Sequence, residues 1–189
     1  MVKNVMIVGV GGQGSLLASK LLGALLTDEG YDVKVSEVHG MSQRGGSVVT
    51  YVRYGEKVYS PIIAEGEADF IVSFEKLEAA RHAACLAADG KIIVNTQKIE
   101  PMPVITGAAE YPDTILCELS AKGISVDAID ALSLATSAGN VKSVNIVLMG
   151  RLAKYLDIPY EKWISAIEKS VKPQFVEINK KAFDLGYNN

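Results

Sequence analysis

The stretch Gly9-Val10-Gly11-Gly12-Gln13-Gly14 decides the fold prediction for this chain. It follows the strand-like residues 4–8 and precedes residues 15–22, whose apolar positions recur at helical spacing. Gly9, Gly11 and Gly14 match the pattern G-x-G-x-x-G, in which glycines permit a tight turn and close approach of a phosphate to the backbone. The sequence therefore predicts either a phosphate-binding turn at a helix start or a crowded strand-helix corner without a ligand.

The remaining pattern predicts alternating strands and helices. Residues 32–38 read as a second strand, which gives a βαβ opening and favours a parallel sheet with a right-handed connection. Residues 47–53 and 57–60, joined by a turn at Tyr54-Gly55-Glu56, predict an inserted hairpin. Further strands are predicted at residues 68–73, 91–95 and 124–129, with helices at residues 75–88 and 114–122. We expect an α/β, Rossmann-like fold: a mostly parallel sheet flanked by helices, an inserted β-hairpin and a helical C-terminal third, all in one domain spanning residues 1–189.

Composition excludes several classes of protein. The chain has 189 residues and a net charge of −3, with lysines and arginines scattered rather than clustered, which argues against a nucleic-acid partner. Cys85 and Cys117 lack metal-binding spacing, so we expect two buried thiols and no metal site in this chain. No apolar run reaches the roughly 18 residues of a membrane helix. We therefore expect a cytoplasmic protein without a membrane partner.

A second glycine-containing loop follows the second predicted strand. Ser42, Gln43, Arg44, Gly45 and Gly46 should lie at the carboxyl end of that strand, where open parallel sheets bind ligands. The loop would face the first glycine turn, and its guanidinium could bind a phosphate or carboxylate through two hydrogen bonds. The alternative is a mobile surface turn with a solvated arginine.

Other polar residues give weaker signals, and no catalytic residue can be assigned. Glu37 lies about 20 positions past the glycines, where an NAD ribose would be bound, so a stand-alone NAD(P)- or FAD-binding oxidoreductase remains an alternative. His39 lies beside the second loop and could act in acid-base chemistry or be structural. Asn140 and Asn145 flank a helix start at which Ser143 could be the cap. Hydrolase and zinc-protease motifs are missing from the sequence.

Taken together, residues 9–14, 36–46, 131–145 and 177–186 resemble the gamma-type domain of the 2-oxoacid:ferredoxin oxidoreductases. The resemblance covers essentially the whole chain. More narrowly, a free-standing chain of this size resembles the small subunits of the indolepyruvate branch of that family. The two glycine segments in this order are far more specific than either one alone.

The resemblance implies an activity carried by a complex. That activity is oxidative decarboxylation of a 2-oxoacid, with an aryl-pyruvate as the implied substrate, in which coenzyme A accepts the acyl group and ferredoxin accepts electrons. Thiamine diphosphate and [4Fe–4S] clusters carry the chemistry in that family. Because this chain lacks ligands for them, we expect a larger partner subunit to hold them. The two glycine segments would then form one surface that binds coenzyme A phosphates or orients thiamine diphosphate, with Arg44 pairing to an anion. A non-catalytic assembly subunit is the remaining alternative.

Overall fold

The computed structural model describes residues 2–40 and 45–189. Within these ranges the strands are β1 (Lys3–Val10), β2 (Asp32–His39), β3 (Ser47–Gly55), β4 (Ala68–Ser73), β5 (Leu86–Asn95) and β6 (Ser125–Ile129). They form a six-stranded sheet with the order β2-β3-β1-β4-β5-β6. The strands β1, β4, β5 and β6 are parallel to one another, and β3 runs antiparallel to both β1 and β2. The carboxyl ends of β1, β4, β5 and β6 therefore meet at one edge of the sheet, which we call the carboxyl edge.

Helices cover both faces of the sheet. They are α1 (Ser15–Asp28), α2 (Lys76–His82), α3 (Met102–Ile105), α4 (Ile115–Ala121), α5 (Ala131–Ala138), α6 (Val144–Ala153), α7 (Tyr160–Ser170) and α8 (Val176–Asn188). Side chains of α1 and of α5 to α8 share one hydrophobic core, and those of α2 and α4 share the other. In β1, Val5 and Ile7 enter the first core while Met6 and Val8 enter the second, as the alternation of a strand requires. None of the helices in the described ranges has the length and apolar character needed to cross a membrane.

The predicted α/β class is confirmed, but the inserted hairpin differs from the predicted one. It consists of β2 and β3, which pair from Asp32 with Gly55 to His39 with Val48. Residues 57–60, predicted as its second strand, form no strand. The strands β1 and β2 of the predicted βαβ opening are parallel to each other, but β3 lies between them.

Burial explains why β3 and not β2 pairs with β1. Val48, Thr50, Val52 and Tyr54 of β3 are all buried, whereas the last three residues of β2 are exposed. A strand that is covered on its faces stabilises the fold most in the interior of a sheet, and a polar, exposed strand suits the edge. The predicted helix at residues 75–88 is likewise shorter: α2 ends at His82, and β5 already begins at Leu86.

Two glycines bring α6 and α8 into backbone contact. A Cβ at Gly150 would lie 2.2 Å from the carbonyl oxygen of Phe183, and one at Gly186 would lie 2.0 Å from that of Val147. Ser143, just before α6, donates a hydrogen bond of 3.2 Å to Asn179 of α8. The C-terminal helix thus fixes the position of α6, whose first turn contacts residues 9–14, which we call the glycine turn.

Candidate functional site

The glycine turn connects β1 to α1 at the carboxyl edge. Gly12 and Gly14 have φ angles of +101° and +91°, a region that residues with a Cβ rarely adopt. Gly14 occupies the N-cap position of α1, so the first turn of that helix opens directly at the turn. Because the N–H groups of a helix start have no partner within the helix, this edge favours a negatively charged ligand.

Gly9 serves close packing rather than an unusual backbone angle. A Cβ at this position would lie 2.9 Å from Gln13 Oε1 and 2.9 Å from the Cβ of Phe74. Phe74 directly follows β4, so the missing side chain lets β1, β4 and the turn approach one another. This is the packing role that a glycine of the G-x-G-x-x-G pattern can have.

The side chain of Gln13 is engaged inside the protein. Its Oε1 accepts a hydrogen bond of 2.7 Å from the N–H of Val10, and its Nε2 donates to the carbonyl oxygen of Phe74 at 3.1 Å. The same Nε2 lies 3.3 Å from Oε1 of Gln97. In this conformation the amide of Gln13 holds the turn, and its contribution to a ligand site is to shape the backbone.

Asn95 and Gln97, which sequence analysis missed, complete this network of hydrogen bonds. Asn95, fully buried at the end of β5, donates from Nδ2 to Phe74 at 3.1 Å and to Gln97 Oε1 at 3.3 Å. Its Oδ1 accepts from the N–H of Ala131 at 3.1 Å, at the start of α5. Their position in the sequence could have identified them, because polar residues at and just after the carboxyl end of a buried strand commonly line a ligand site.

The second loop meets the glycine turn through its last two residues. The N–H of Gly11 donates to the carbonyl oxygen of Gly46 at 2.8 Å, and the N–H of Gly45 lies 3.5 Å from the carbonyl oxygen of Gly11. The structure thus brings Gly45 and Gly46 beside the turn. The predicted site residues Ser42, Gln43 and Arg44 lie outside the described residues.

Two buried carboxylates flank this loop on the α2 side. Glu78, 1% exposed, accepts hydrogen bonds of 2.5 Å from the hydroxyl of Ser47 and of 2.5 Å from Arg81. A cavity of about 250 Å³ lies beside it, with Gly45 and Arg81 in its wall. Glu78 and Arg81 therefore anchor the point at which the second loop enters β3.

Glu75 is the other buried carboxylate, and its oxygens are fully used by the scaffold. One accepts from the N–H groups of Leu77 at 2.6 Å and Glu78 at 3.0 Å, which caps α2. The other accepts from the N–H of Ile99 at 3.2 Å and from the hydroxyl of Tyr111. Burial, followed by this hydrogen bond, raises the pKa of Tyr111 above its ordinary value. Glu75 thus joins α2 to the segment after β5.

A cavity of about 530 Å³ opens at the carboxyl edge, and we call it the turn cavity. Its walls come from the glycine turn, α1, the end of β5, and the region from α5 to α6. They are formed by Gly12, Gln13, Gly14, Leu17, Gln97, Leu132, Val141, Lys142, Val144 and Asn145. Its volume falls within the range of small-molecule sites, about 300–1,000 Å³. Apolar walls with a few polar groups suit a ligand that has an apolar body and a charged end.

The helix start at residue 143 differs in detail from the prediction. Ser143 occupies the N-cap position of α6 without capping it, because its hydroxyl donates to Asn179. Asn140 instead accepts from the N–H of Lys142 at 3.0 Å and caps the short turn before α6. Asn145, 3% exposed, donates to the carbonyl oxygen of Gly14 at 3.3 Å and so ties α6 to the glycine turn.

Another cavity, of about 390 Å³, contains the residues that supported a dinucleotide interpretation. Glu37 and His39 are exposed in its wall, together with Gly11 and Gly12. Glu37 is two strands away from β1, because β3 lies between β1 and β2. At about 4.8 Å per strand, that places it roughly 10 Å from β1, whereas the dinucleotide-binding pattern has the acidic strand next to β1.

The described residues form no group of three or more His, Cys, Asp or Glu side chains suited to a metal ion. Both cysteines are free: Cys85 is half-buried and Cys117 is exposed on α4. The prediction of two buried thiols is therefore wrong. Cys117 faces outward because the inner face of α4 is occupied by Ile115 and Leu119.

Comparison with known proteins identifies the chain's relatives. Residues 4–189 match the family model of pyruvate ferredoxin/flavodoxin oxidoreductase. Indolepyruvate oxidoreductase subunit IorB of Pyrococcus horikoshii is 44% identical over 97% of this chain and 93% of its own length. The IorB subunit of Archaeoglobus fulgidus is 40% identical over 98% of this chain and 94% of its own length.

Solved structures show the same fold at low sequence identity. The pyruvate oxidoreductase subunit PORC of Thermotoga maritima superposes with a TM-score of 0.74 at 21% identity, covering 100% of this chain and 96% of that one. The gamma subunit of the keto/oxoacid ferredoxin oxidoreductase of Geobacter sulfurreducens gives 0.73 at 20% identity, covering 98% of this chain and 96% of its own. The family-model match and the IorB relatives confirm the sequence resemblance noted above.

Proposed function

The chain belongs to the pyruvate ferredoxin/flavodoxin oxidoreductase family as a subunit of an oxidoreductase complex, and we propose that it is the small subunit of an indolepyruvate-type enzyme. The reaction would convert an aryl 2-oxoacid and coenzyme A into acyl-CoA and CO2, with the released electrons passing to ferredoxin. The observation that carries this proposal is the 44% identity to an IorB subunit over nearly the full length of both chains. The match over residues 4–189 supports one gamma-type domain spanning residues 1–189.

The redox and decarboxylating cofactors would belong to a larger partner subunit. A [4Fe–4S] cluster needs several thiolate ligands, and Cys85 and Cys117 are the two cysteines of the chain. The described residues also offer no acidic cluster for the metal ion that accompanies thiamine diphosphate. We therefore assign the holding of both groups to the partner, and a binding and positioning role in the complex to this chain.

That role would be performed at the carboxyl edge. The glycine turn (Gly9, Gly11, Gly12, Gln13, Gly14) and the second loop (Ser42 to Gly46) would present one surface to the partner's active site, with Arg44 pairing to an anionic group. The hydrogen bond between Gly11 and Gly46 supports their juxtaposition, and the turn cavity supports a ligand of coenzyme A or 2-oxoacid size. Alternatively, the same surface would orient the thiamine diphosphate that the partner subunit holds.

Purification from the native host through a tag on this chain tests the assignment. We expect an iron-sulfur subunit to copurify, and 2-oxoacid- and coenzyme A-dependent reduction of ferredoxin or a viologen dye by the complex but not by the recombinant chain alone. Tight binding of NAD by the isolated chain, with nothing copurifying, would instead establish a stand-alone dinucleotide enzyme. Copurification without any turnover would indicate an assembly subunit.

Arg44→Ala in the assembled complex tests the second loop. We expect a KM for coenzyme A or for the 2-oxoacid that rises about 10-fold or more, as is typical when a hydrogen-bonded charge partner is lost. Lys122→Gln is the matched control, because Lys122 is an exposed cation at the end of α4, on the opposite face of the sheet from α1. Kinetic constants equal to those of the control would remove Arg44 from the site.

A further inference from the structure

Backbone groups fix the orientation of two side-chain amides at the carboxyl edge. Gln13 lies between the N–H of Val10, which can only donate, and the carbonyl oxygen of Phe74, which can only accept. Asn95 lies between the N–H of Ala131 and the same carbonyl oxygen. Each amide therefore has its oxygen toward the N–H group and its nitrogen toward Phe74.

This arrangement determines the orientation of the third amide, that of Gln97. The nitrogens of Gln13 and Asn95 both lie 3.3 Å from the same atom of Gln97. Because both neighbours donate, that atom must be the acceptor, Oε1. The NH2 group of Gln97 is then turned away from the network, and it has no acceptor among the described residues. Gln97 is part of the wall of the turn cavity, so its donors are left for an occupant of that cavity.

The other walls indicate which occupant would match. Lys142 is exposed at the cavity and forms no ion pair within residues 2–40 and 45–189. No acidic residue contributes to the wall of the turn cavity. Leu17, Leu132 and Val141 supply apolar surface beside these donors. Donors and a cation at one end, with apolar walls at the other, complement an amphipathic anion.

We propose that Gln97 and Lys142 bind the anionic group of a ligand in the turn cavity, whose oxygen accepts from Gln97 Nε2 while its apolar part contacts the leucine and valine side chains. This assignment rests on the proposed function, because it specifies residues of the same site. Two reactants of that reaction carry a suitable anionic group: the aryl 2-oxoacid has a carboxylate, and coenzyme A has phosphates. In either case Gln97 sets specificity through a donor that the scaffold orients in advance.

The substitution Gln97→Glu separates binding from structure. A carboxylate at this position still accepts from Gln13 and Asn95, so the network and the fold are preserved. Its second oxygen replaces the NH2 group with a negatively charged acceptor, which repels an anionic ligand. Lys142→Gln is a second variant on an exposed side chain that the fold does not require, and Lys122→Gln again serves as the control.

The experiment uses the assembled complex with coenzyme A and indole-3-pyruvate as separate probes in titration calorimetry, together with dye-linked turnover and thermal unfolding. We expect Gln97→Glu to raise the Kd of one probe about 10-fold or more and Lys142→Gln to raise it by up to about 5-fold, with unfolding midpoints unchanged. The affected probe identifies the source of the anion.

Unchanged affinities for both probes in both variants, within a wild-type complex that assembles and turns over, would overturn this proposal and leave the proposed function intact. If Gln97→Glu lowers the unfolding midpoint, the Lys142→Gln variant tests the proposal instead. A weaker affinity of Lys142→Gln for either probe would support the site, and an unchanged affinity for both probes would refute it. A wild-type complex that neither turns over nor binds either probe would overturn the proposed function and this assignment with it.

Discussion

Gly9→Ala should destabilise the protein through lack of space at the glycine turn. The added methyl group would lie 2.9 Å from Gln13 Oε1 and 2.9 Å from the Cβ of Phe74, closer than carbon and oxygen atoms approach in packed interiors. Phe74 is held by β4, so Gln13 must move and lose its hydrogen bond to Val10. Overpacking costs about 1–3 kcal/mol and the lost hydrogen bond about 1 kcal/mol, which gives about 2–4 kcal/mol in the free energy of unfolding. For a chain of this size that corresponds to a fall of roughly 5–15 °C in Tm.

Two other glycines provide matched controls for this prediction. Gly12 has open space around a Cβ but a φ of +101°, so Gly12→Ala tests backbone strain alone, at about 1–2 kcal/mol. Gly40 has open space and no positive φ, so Gly40→Ala should change stability by less than about 0.5 kcal/mol. We expect the loss of stability, measured by urea and thermal unfolding with circular dichroism, to be largest for Gly9→Ala, smaller for Gly12→Ala and smallest for Gly40→Ala. A Gly9→Ala protein as stable as Gly40→Ala would refute the packing argument, and a larger loss for Gly12→Ala would show that strain outweighs space.

Two further predictions concern the helical layer. Asp127 accepts two hydrogen bonds of 2.7 Å from Arg151. Burial raises the pKa of Asp127, but the hydrogen bonds from Arg151 and Tyr155 lower it by more. The pKa of Asp127 is therefore below its ordinary value. A lowered pKa in the folded state stabilises the fold above the unfolded value near 3.9, and this contribution is lost as the pH falls through the folded value. Asp127→Asn should therefore cost up to about 3 kcal/mol at pH 7 in urea unfolding, and the difference from wild type should shrink below about pH 4; a difference independent of pH would contradict this. Gly186→Ala should cost more than about 3 kcal/mol, because its Cβ would lie 2.0 Å from the carbonyl oxygen of Val147; unchanged thermal unfolding would contradict the close contact of α6 and α8.

The sequence predicted those parts of the fold that depend on local patterns. The strand-turn-helix unit at residues 3–28 follows from a buried apolar run, positive-φ glycines and helical periodicity, and it is present with β1 ending at Val10 and α1 starting at Ser15. The order of the strands depends on burial, which no local pattern contains. The sequence of β3 is consistent with an edge hairpin as well as with an interior strand, and only the covering of its valines by helices places it beside β1.

The contact between α6 and α8 shows the same limit. By spacing alone, Phe175, Ile178, Ala182 and Leu185 form an apolar stripe, but the buried positions of α8 are Asn179, Ala182, Phe183 and Gly186. Glycine has no hydrophobicity that would mark it as a contact residue. It is buried here because two backbones meet, and such a contact becomes visible only when both helices are in place.

The candidate site, too, was predicted only in those parts that follow from local sequence patterns. Glycine spacing predicted the turn, and strand order along the chain predicted that the second loop would lie beside it. Gln97 was missed because its role depends on Gln13 and Asn95, which are 84 and 2 positions away in sequence. A single glutamine after a strand carries no chemical signal of its own.

The amide network explains why no charged side chain is needed to orient a donor at this edge. Amides present one acceptor and two donors each, so three of them can satisfy the backbone groups of β1, β4 and α5 and still leave an NH2 group at the cavity. A carboxylate at Asn95 would lose the donors to Phe74 and Gln97 and would be a buried, unpaired charge, which is costly. Asn95→Asp should therefore destabilise the protein while Gln97→Glu does not, although each replaces one amide by one carboxylate. Equal stability of the two variants in urea unfolding would show that the orientation of these amides is not fixed by the backbone, and the assignment of a free donor to Gln97 would fail with it.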